Sequence, residues 1–546
     1  MLEGFDPTVI QDDKAREGYI ILLNLVETLK AENERLRAEV QRLRDEINRL
    51  KGEQGKPTIK GNKPEEDHST EKERRQPKQR KKRKKKKDIK VDREVKVEVD
   101  RSELPEDVVF KGYEEVVVQD IKIETDNVLF RKEKFYSPSQ KKTYIAPQPS
   151  GYEGQFGPGI KALATVFYFG CNMTEPKILD FFSNMNIELS AGQLSNLLIK
   201  KQDRFHAEKD EVYEAGLRSG PWQHSDWTGM RVNGENCYCH IVCNPLYAAY
   251  FTKAKKDRQT ILEVLRNSSE REYVLNEQAL LLLETLGLSG AKRKQLQGLL
   301  NEQVFSEQDF LARLEAHDLV LGPQQRRWVL DAAAIAAYHA QDDWPIIDLL
   351  LADDAPEFKL VTALLALCWV HEARHYKKLT PMVEHHQQVL DAFMKEFWDY
   401  YRDLLAYQQY PTPQRKVELI AEFKQLFSQK TSYWLLNERL ALTKAKQAAL
   451  LMVLDYPEIP LHNNAAELAA RTRVRKRKIS YGTRTKEGSQ AWDTFMTLSE
   501  TAKKLGVSFY HYILDRITGT NALPSLADLI SQRAQSINLG ASWQFP

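Results

Sequence analysis

Asp226, Asp353 and Glu467 are the residues of this 546-residue chain whose settings point to chemistry. Asp226 lies in Trp222-Gln-His-Ser-Asp-Trp-Thr-Gly-Met, which runs into Asn233-Gly234 and a second alternating run from Tyr238 to Val242. That is the pattern of a carboxylate on the first strand of a β-hairpin. Asp353 follows the apolar run Pro345 to Ala352, and Glu467 belongs to the helical pattern His462-Asn-Asn-Ala-Ala-Glu. Carboxylates at two strand ends and on one helix suit two-metal phosphoryl transfer, because hard divalent cations take oxygen ligands and clamp both attacking and leaving oxygens. In a chain with 77 acidic residues the three alone are a weak selection. For Asp226 the bland alternative is a carboxylate paired with Arg or Lys, and Asp354 competes with Asp353 as the second ligand.

The surrounding text narrows the choice. Asp226-Trp-Thr with Arg231-Val-Asn-Gly, Cys368-Trp-Val-His-Glu-Ala-Arg, and Asn463-Asn-Ala-Ala-Glu-Leu followed by Arg477-Lys478 and Gly488 resemble the DDE transposases of the IS-sixty-six insertion-sequence family. The resemblance runs from about Pro158 to Leu514. It implies an α/β RNase H-like catalytic core made from 216–267, 345–375 and 455–514, with helical insertions at 268–344 and 376–454. It implies two Mg²⁺ ions, for which Mn²⁺ can stand in, held by Asp226, Asp353 and Glu467, and double-stranded DNA, both element ends and target, as substrate. His371 and Arg374 are placed near the active site by the same likeness, and Arg374 would meet a DNA phosphate. Asn463 and Asn464 would orient the ligand Glu467 or a phosphate. Arg471, Arg473, Arg475, Lys476, Arg477 and Lys478 are too many for one helix face to hide and would grip phosphates; Arg477 and Lys478 match the family's Arg-Lys pair. Where the family has Arg directly after the Glu, this chain has Leu468, so that contact has no counterpart.

Cys368-x-x-His371 has no second ligand pair near it in sequence, and a buried structural histidine is the plainer reading. Cys237, Cys239, His240 and Cys243 fall in one predicted strand, where alternate side chains face opposite ways, so they read as core packing. No structural zinc is expected: the family's usual Cys-x-x-Cys pairs would fall in 88–150, and no cysteine stands between 1 and 170. The five cysteines show no disulfide framework, which fits a reducing compartment. The longest apolar run, Leu360 to Val370, is too short to span a bilayer, and no signal peptide is visible, so the expected location is the bacterial cytoplasm, with the nucleoid.

Positioning elements precede this core. Leu22, Leu29, Leu36, Leu43 and Leu50 recur every seven residues, with Val26, Asn33, Val40 and Ile47 at the complementary sites, the d and a positions of a leucine zipper over 15–51. Glu32 with Arg37, Glu39 with Arg44, and Glu46 with Lys51 are attractive g–e pairs between parallel copies, and Asn33 favours a two-stranded register. The expected partner is a second copy, with higher order possible on DNA; one helix folded back on its own chain is the alternative. Residues 52–87 are poor in apolar side chains and read as a disordered basic linker. The eight consecutive basic residues Arg80 to Lys87, which begin Arg80, Lys81, Lys82, Arg83 and Lys84, outweigh the net charge of +3, so basicity is local and suits phosphate contact or a merely solvated tether. Alternation at 95–99, 115–118 and 121–123 predicts a small β-domain within 88–150. Within 151–215 the spacing is that of a helix-turn-helix with Ser190 as N-cap, which either enters a groove or buttresses the core. Residues 515–546 read as a C-terminal tail. Two further functions share these features: a catalytically retired DNA-binding regulator, and an RNase H-fold nuclease.

Overall fold

The computed structural model describes residues 7–50 and 91–543, apart from 101, 103, 106–107, 153 and 318. The basic linker with Arg80 to Lys87 lies outside the described residues, as does the side chain of Leu50.

Helix α1 (Asp13–Leu50) carries the heptads. The alternating runs between 95 and 123 form no strand among the described residues, and their valines and isoleucines are exposed. The expected β-domain reduces to one hairpin, β1 (Lys134–Ser137) with β2 (Lys142–Ile145). Alternation alone makes a strand only where a partner strand satisfies its backbone, and none is supplied here. Helices α2 (Pro158–Thr165), α3 (Glu175–Asn184), α4 (Ala191–Ile199) and α5 (Asp203–Arg218) follow, and Ser190 with Gln193 makes a reciprocal capping box on α4.

The central sheet holds β3 (Trp222–Val232), β4 (Glu235–Cys243), β5 (Ala248–Lys253), β8 (Leu349–Ala352) and β9 (Leu364–Leu367) in the order β5-β4-β3-β8-β9. The first three are antiparallel; β8 and β9 run parallel to β3. Asn233 and Gly234 turn the β3–β4 hairpin with φ of 50° and 84°, as a two-residue turn matched to strand twist requires. Between β5 and β8 come α6 (Arg258–Leu265), β6 (Glu272–Leu275), α7 (Glu277–Thr285), α8 (Gly290–Gln297), β7 (Asn301–Ser306), α9 (Glu307–Ala316) and α10 (Pro323–Ala340). The expected all-helical insertion therefore includes an antiparallel strand pair, β6 with β7. The second insertion is helical: α11 (Trp369–Lys377), α12 (Glu384–Gln409), α13 (Pro413–Leu426), α14 (Trp434–Lys444) and α15 (Gln447–Leu450).

Helix α16 (Asn464–Ser480) lays Ala466, Ala469 and Ala470 on Met230, Cys239, Ile241 and Tyr250 of the sheet. Small side chains let the helix approach closely. Helix α17 (Lys486–Lys504) then guards the sheet's open edge. The outward N–H groups of Ala248, Tyr250 and Thr252 donate to Thr501 Oγ1, Thr497 Oγ1 and Asp493 Oδ2 at 3.3, 3.1 and 2.6 Å. A period of two on the strand meets a period of four on the helix, and the edge is left with no free donors at these positions. The expected C-terminal tail is structured. After α18 (Phe509–Thr518), α19 (Leu526–Ile537) packs with Leu526 and Ile530 buried, Trp222 Nε1 donates to Leu539 O at 2.6 Å, and Trp543 stacks on Tyr456.

Candidate active site

Asp226 and Asp353 come together because of sheet register. In the parallel pairing of β3 with β8, His224 stands opposite Leu351, and two residues further along each strand, on the same face, are Asp226 and Asp353. Both are half-buried. Asp226 Oδ1 accepts the Trp227 N–H at 2.7 Å, and Asp353 Oδ1 accepts the Ala355 N–H at 3.1 Å. Burial, then the neighbouring charge of Asp353 and, less strongly, of Glu467, pushes the Asp226 carboxyl up to about 7; the Trp227 N–H and Arg374 pull the other way. All three carboxylates thus share one electrostatic site. Asp354 does not: it is held by Lys359 at 3.0 Å and Lys446 at 2.6 Å, which keep its carboxyl below the usual range despite burial.

Glu467 sits in the first turn of α16, whose start is tied to the sheet by Asn463 and His224. Asn463, buried just ahead of that helix, donates Nδ2 to Ser225 O at 2.7 Å and lies 2.8 Å through Oδ1 from His224 Nδ1. The helix start is thereby tied to the strand one residue before Asp226. His224 itself was invisible as a site residue, since an alternating strand histidine reads as core; burial drops its pKa to about 3, so it is neutral and serves as a hydrogen-bond partner. Asn464 stands at the helix start beside it.

Helix α11 brings the other contact. Trp369 is buried against Phe397, Tyr400, Phe423 and Phe427, and Ala373 and Tyr376 bury the same face of the helix. His371 and Arg374, at +2 and +5 from Trp369, face the site instead. Arg374 Nη2 donates to Glu467 Oε2 at 3.0 Å and Nη1 to His371 Nε2 at 2.8 Å. The sequence placed Arg374 against DNA; here its guanidinium neutralises Glu467.

Among the described residues, the one group of three whose ligating atoms all lie within 4.8 Å of one another is Cys368, His371 and Glu467. A guanidinium only donates, so His371 Nε2 must accept from Arg374, and the neutral ring carries its proton on Nδ1. That nitrogen, 3.6 Å from Glu467 Oε1, turns an N–H toward the carboxylate, not a lone pair toward a metal. Cys368 accepts the Asn463 N–H at 3.2 Å, and burial pushes its thiol up to about 11. In this arrangement Arg374 holds Glu467 directly, and His371 and Cys368 hold Arg374 and the start of α16 beside it.

The basic run on α16 divides. Arg473 is buried, donating to Thr252 Oγ1 at 2.7 Å and Asp493 Oδ1 at 2.8 Å; Lys476 is buried with its ammonium 3.1 Å from the Tyr168 ring centroid. Neither can grip DNA. One helix face does hide cations when an acid and an aromatic box receive them. Arg471 and Arg477 are half-buried, Arg475 and Lys478 exposed, and Arg477 Nη1 runs alongside Gly229 of β3. The exposed Leu468 occupies the next surface position after Glu467. On β4, Cys237, Cys239 and Cys243 share the face that packs under α16, while His240 points the other way and donates to Lys255 O at 2.9 Å.

Residues 350–491 match the model of the Transposase IS66 family, a span that contains Asp353, Cys368, Arg374, Glu467 and Arg477 and leaves Asp226 outside. The chain is also 32% identical over 324 residues, 59% of its own length and all of the relative's, to the uncharacterized protein y4jO of Sinorhizobium fredii. On these matches the chain belongs to the IS66 transposase family.

Proposed function

We propose that the chain is a DDE-type DNA transposase that cuts and joins strands at the ends of an insertion sequence, with Asp226, Asp353 and Glu467 as its catalytic carboxylates. The observation that carries this reading is three half-buried carboxylates set together by strand register and the start of α16, whose mutual repulsion and burial raise Asp226 to about 7. Hard oxygen donors crowded against their own repulsion fit divalent cations. The sheet order, three antiparallel strands followed by two parallel ones, supports an RNase H-like core. Bound Mg²⁺ would supply Lewis-acid stabilisation to attacking and leaving oxygens. The chain's own part is to hold Asp226 and Asp353 in strand register, to fix Glu467 through Asn463, and to keep Arg374 within reach. While Glu467 is paired with Arg374 the guanidinium neutralises the acid; once released it can meet a phosphate oxygen. Arg471, Arg477 and Lys478 extend a positive surface from the cleft, and the basic block beginning Arg80 adds sequence-independent attraction.

The seam of α1 supports a homodimer. Leu22, Val26, Leu29, Leu36, Val40, Leu43 and Ile47 are all at least 40% exposed, an apolar stripe that the described residues of its own chain leave uncovered. The deciding experiment incubates purified protein and Mg²⁺ with candidate element ends, random duplex and an RNA–DNA hybrid. Cleavage confined to element ends is expected. Cleavage of the hybrid instead would favour a nuclease, and binding without cleavage a retired regulator.

A further inference from the structure

Helix α1 has two working faces. Its a and d positions are exposed, but Leu23, Asn24 and Glu27, at e, f and b of the same heptads, are buried at 5, 1 and 3% exposure. The burial recurs with helical spacing through Ile20 and ends at Lys30, beyond which every described side chain of the helix is exposed. The remaining 20 residues, 31–50, project about 30 Å at 1.5 Å per residue.

What the buried face meets is specific. Helices α12 and α14 begin at Val383 and Tyr433, which provide no side-chain cap. Such residues leave the first N–H groups of a helix without acceptors. Helix α1 supplies acceptors at both starts, to the N-cap residue of α12 and the residue before it and to the first residue of α14. Glu27 Oε1 accepts the N–H groups of Met382 and Val383 at 2.6 and 3.0 Å, where a negative charge is also favoured by the helix dipole, and lies 3.5 Å from His386 Nδ1. Asn24 Oδ1 accepts the Trp434 N–H at 2.8 Å while its Nδ2 donates to Ser432 O at 2.8 Å. Both capped helices lead to α11. Tyr433 stacks on His386 and donates to Leu379 O just past the end of α11; on α14, Arg439 pairs with Glu372 of α11.

We propose that Asn24 and Glu27 are positioning residues: by capping α12 and α14 they fix the dimerisation helix to the layer that carries Arg374, so that pairing two copies through the seam sets the geometry of both active sites. This rests on the zipper dimer and strand-transfer reading above.

The dock is tested first by Asn24→Cys with Ser432→Cys in a Cys171→Ser background. A disulfide within one chain is expected on mild oxidation; a chain-to-chain disulfide, or none, overturns the proposal. Coupling is tested by Glu27→Ala against Glu27→Gln, whose amide oxygen still accepts both N–H groups. With dimer mass by light scattering and single-end affinity unchanged, Glu27→Ala should lower the maximal cleavage rate on paired ends about 10- to 100-fold, the cost of a small misplacement, with KM little changed. Glu27→Gln should recover most of that rate. Wild-type rates in Glu27→Ala, or equal losses in both variants, would sink the coupling. A monomeric wild type would overturn the dimer reading and the coupling together, whereas an intrachain disulfide in the Asn24→Cys, Ser432→Cys variant would leave the dock standing.

Discussion

Two clusters of buried charge lie on either side of α11, and they are built oppositely. Glu372 is nearly sealed, with Arg439, Lys446 at 3.0 Å and Thr443 all directed at one carboxylate. Burial works against its charge, yet the hydrogen bonds of Thr443 and Arg439 and the charges of Lys446 and Arg439 win, and its pKa falls below the ordinary value. Across the helix, Arg374 pairs with Glu467 beside Asp226 and Asp353, and Asp226 still rises to about 7. A structural charge is neutralised where it stands, since an unpaired buried ion costs several kcal/mol. The three-carboxylate group leaves part of that cost outstanding. Its excess negative charge is what a cationic ligand would relieve, and this separates the two clusters more clearly than burial does.

The contrast breaks first at the carboxylates. Asp226→Asn, Asp353→Asn or Glu467→Gln should each reduce Mg²⁺-dependent strand cleavage to background with DNA affinity retained. Melting without divalent ions should show Asp226→Asn at least as stable as wild type at pH 8. The sign follows because a folded pKa raised above its unfolded value makes ionisation destabilising above pH 4, most fully above 7. Activity retained in Asp353→Asn but lost in Asp354→Asn would move the second ligand by one position. Glu372→Gln should do the reverse of Asp226→Asn: it strands Arg439 in the interior, leaves Lys446 to Asp354, and should cost about 3 kcal/mol in urea unfolding.

A second pair sharpens the same point on α16. Arg473→Met leaves Asp493 buried without its guanidinium and should lower stability by roughly 3 kcal/mol. Arg477→Ala should instead leave the melt unchanged and weaken binding to all duplexes alike, with a shallower salt dependence. If Arg477→Ala melts early, or Arg473→Met weakens DNA binding without destabilising, the division of that helix into inner and outer cations is wrong.

The sequence made this division hard to see. The strand position of Asp226 was legible because alternation ahead of Asn-Gly marks a hairpin, and that of Asp353 because an apolar run stops just before it. Glu467 stood out only through the resemblance, one acid among many on a helix. The partners that set its chemistry, Arg374 and Asn463 with His224, are joined by tertiary contacts across 93 and 239 positions, which no local pattern encodes. The basic run misled for a related reason: Arg473 and Lys476 are three residues apart on one face, but whether that face meets water or Asp493 and Tyr168 is decided by α17 and α2's neighbourhood. The alternating valines of 95–123 misled because a strand is a property of a pair. The caps that Asn24 and Glu27 give to α12 and α14 left a faint sign, two long helices beginning at Val383 and Tyr433, residues that cap poorly.

The zipper half of α1 gives a smaller, cleaner test of how its two faces differ. Leu36 lies beyond the docked stretch, so Leu36→Pro should break the projecting helix, at about 3 kcal/mol or more locally, and abolish dimer mass in light scattering while the body melts as before. Bridging of two element ends should fail and binding of one end persist. A dimer that survives the proline must be held by some surface other than the seam.

The effect most confined to one pH window is expected at Lys476, where the inner cation is least compensated. Its ammonium donates to Tyr168 O at 2.5 Å within the Tyr168 and Trp492 rings, and burial draws its pKa from an ordinary 10.5 down to about 7. Glu175 opposes that fall without cancelling it. Between pH 7 and 10.5 the unfolded lysine therefore binds more protons than the folded one, and stability rises with pH across that window. Lys476→Met fills the same space without a titrating group, so its urea midpoint should lie above wild type near pH 7 and converge with it toward pH 10. Lys478→Met, two residues on and exposed, should follow wild type throughout. Parallel curves for Lys476→Met and wild type would mean that the folded lysine keeps its proton, and that the aromatic box around it stabilises the cation far better than its burial suggests.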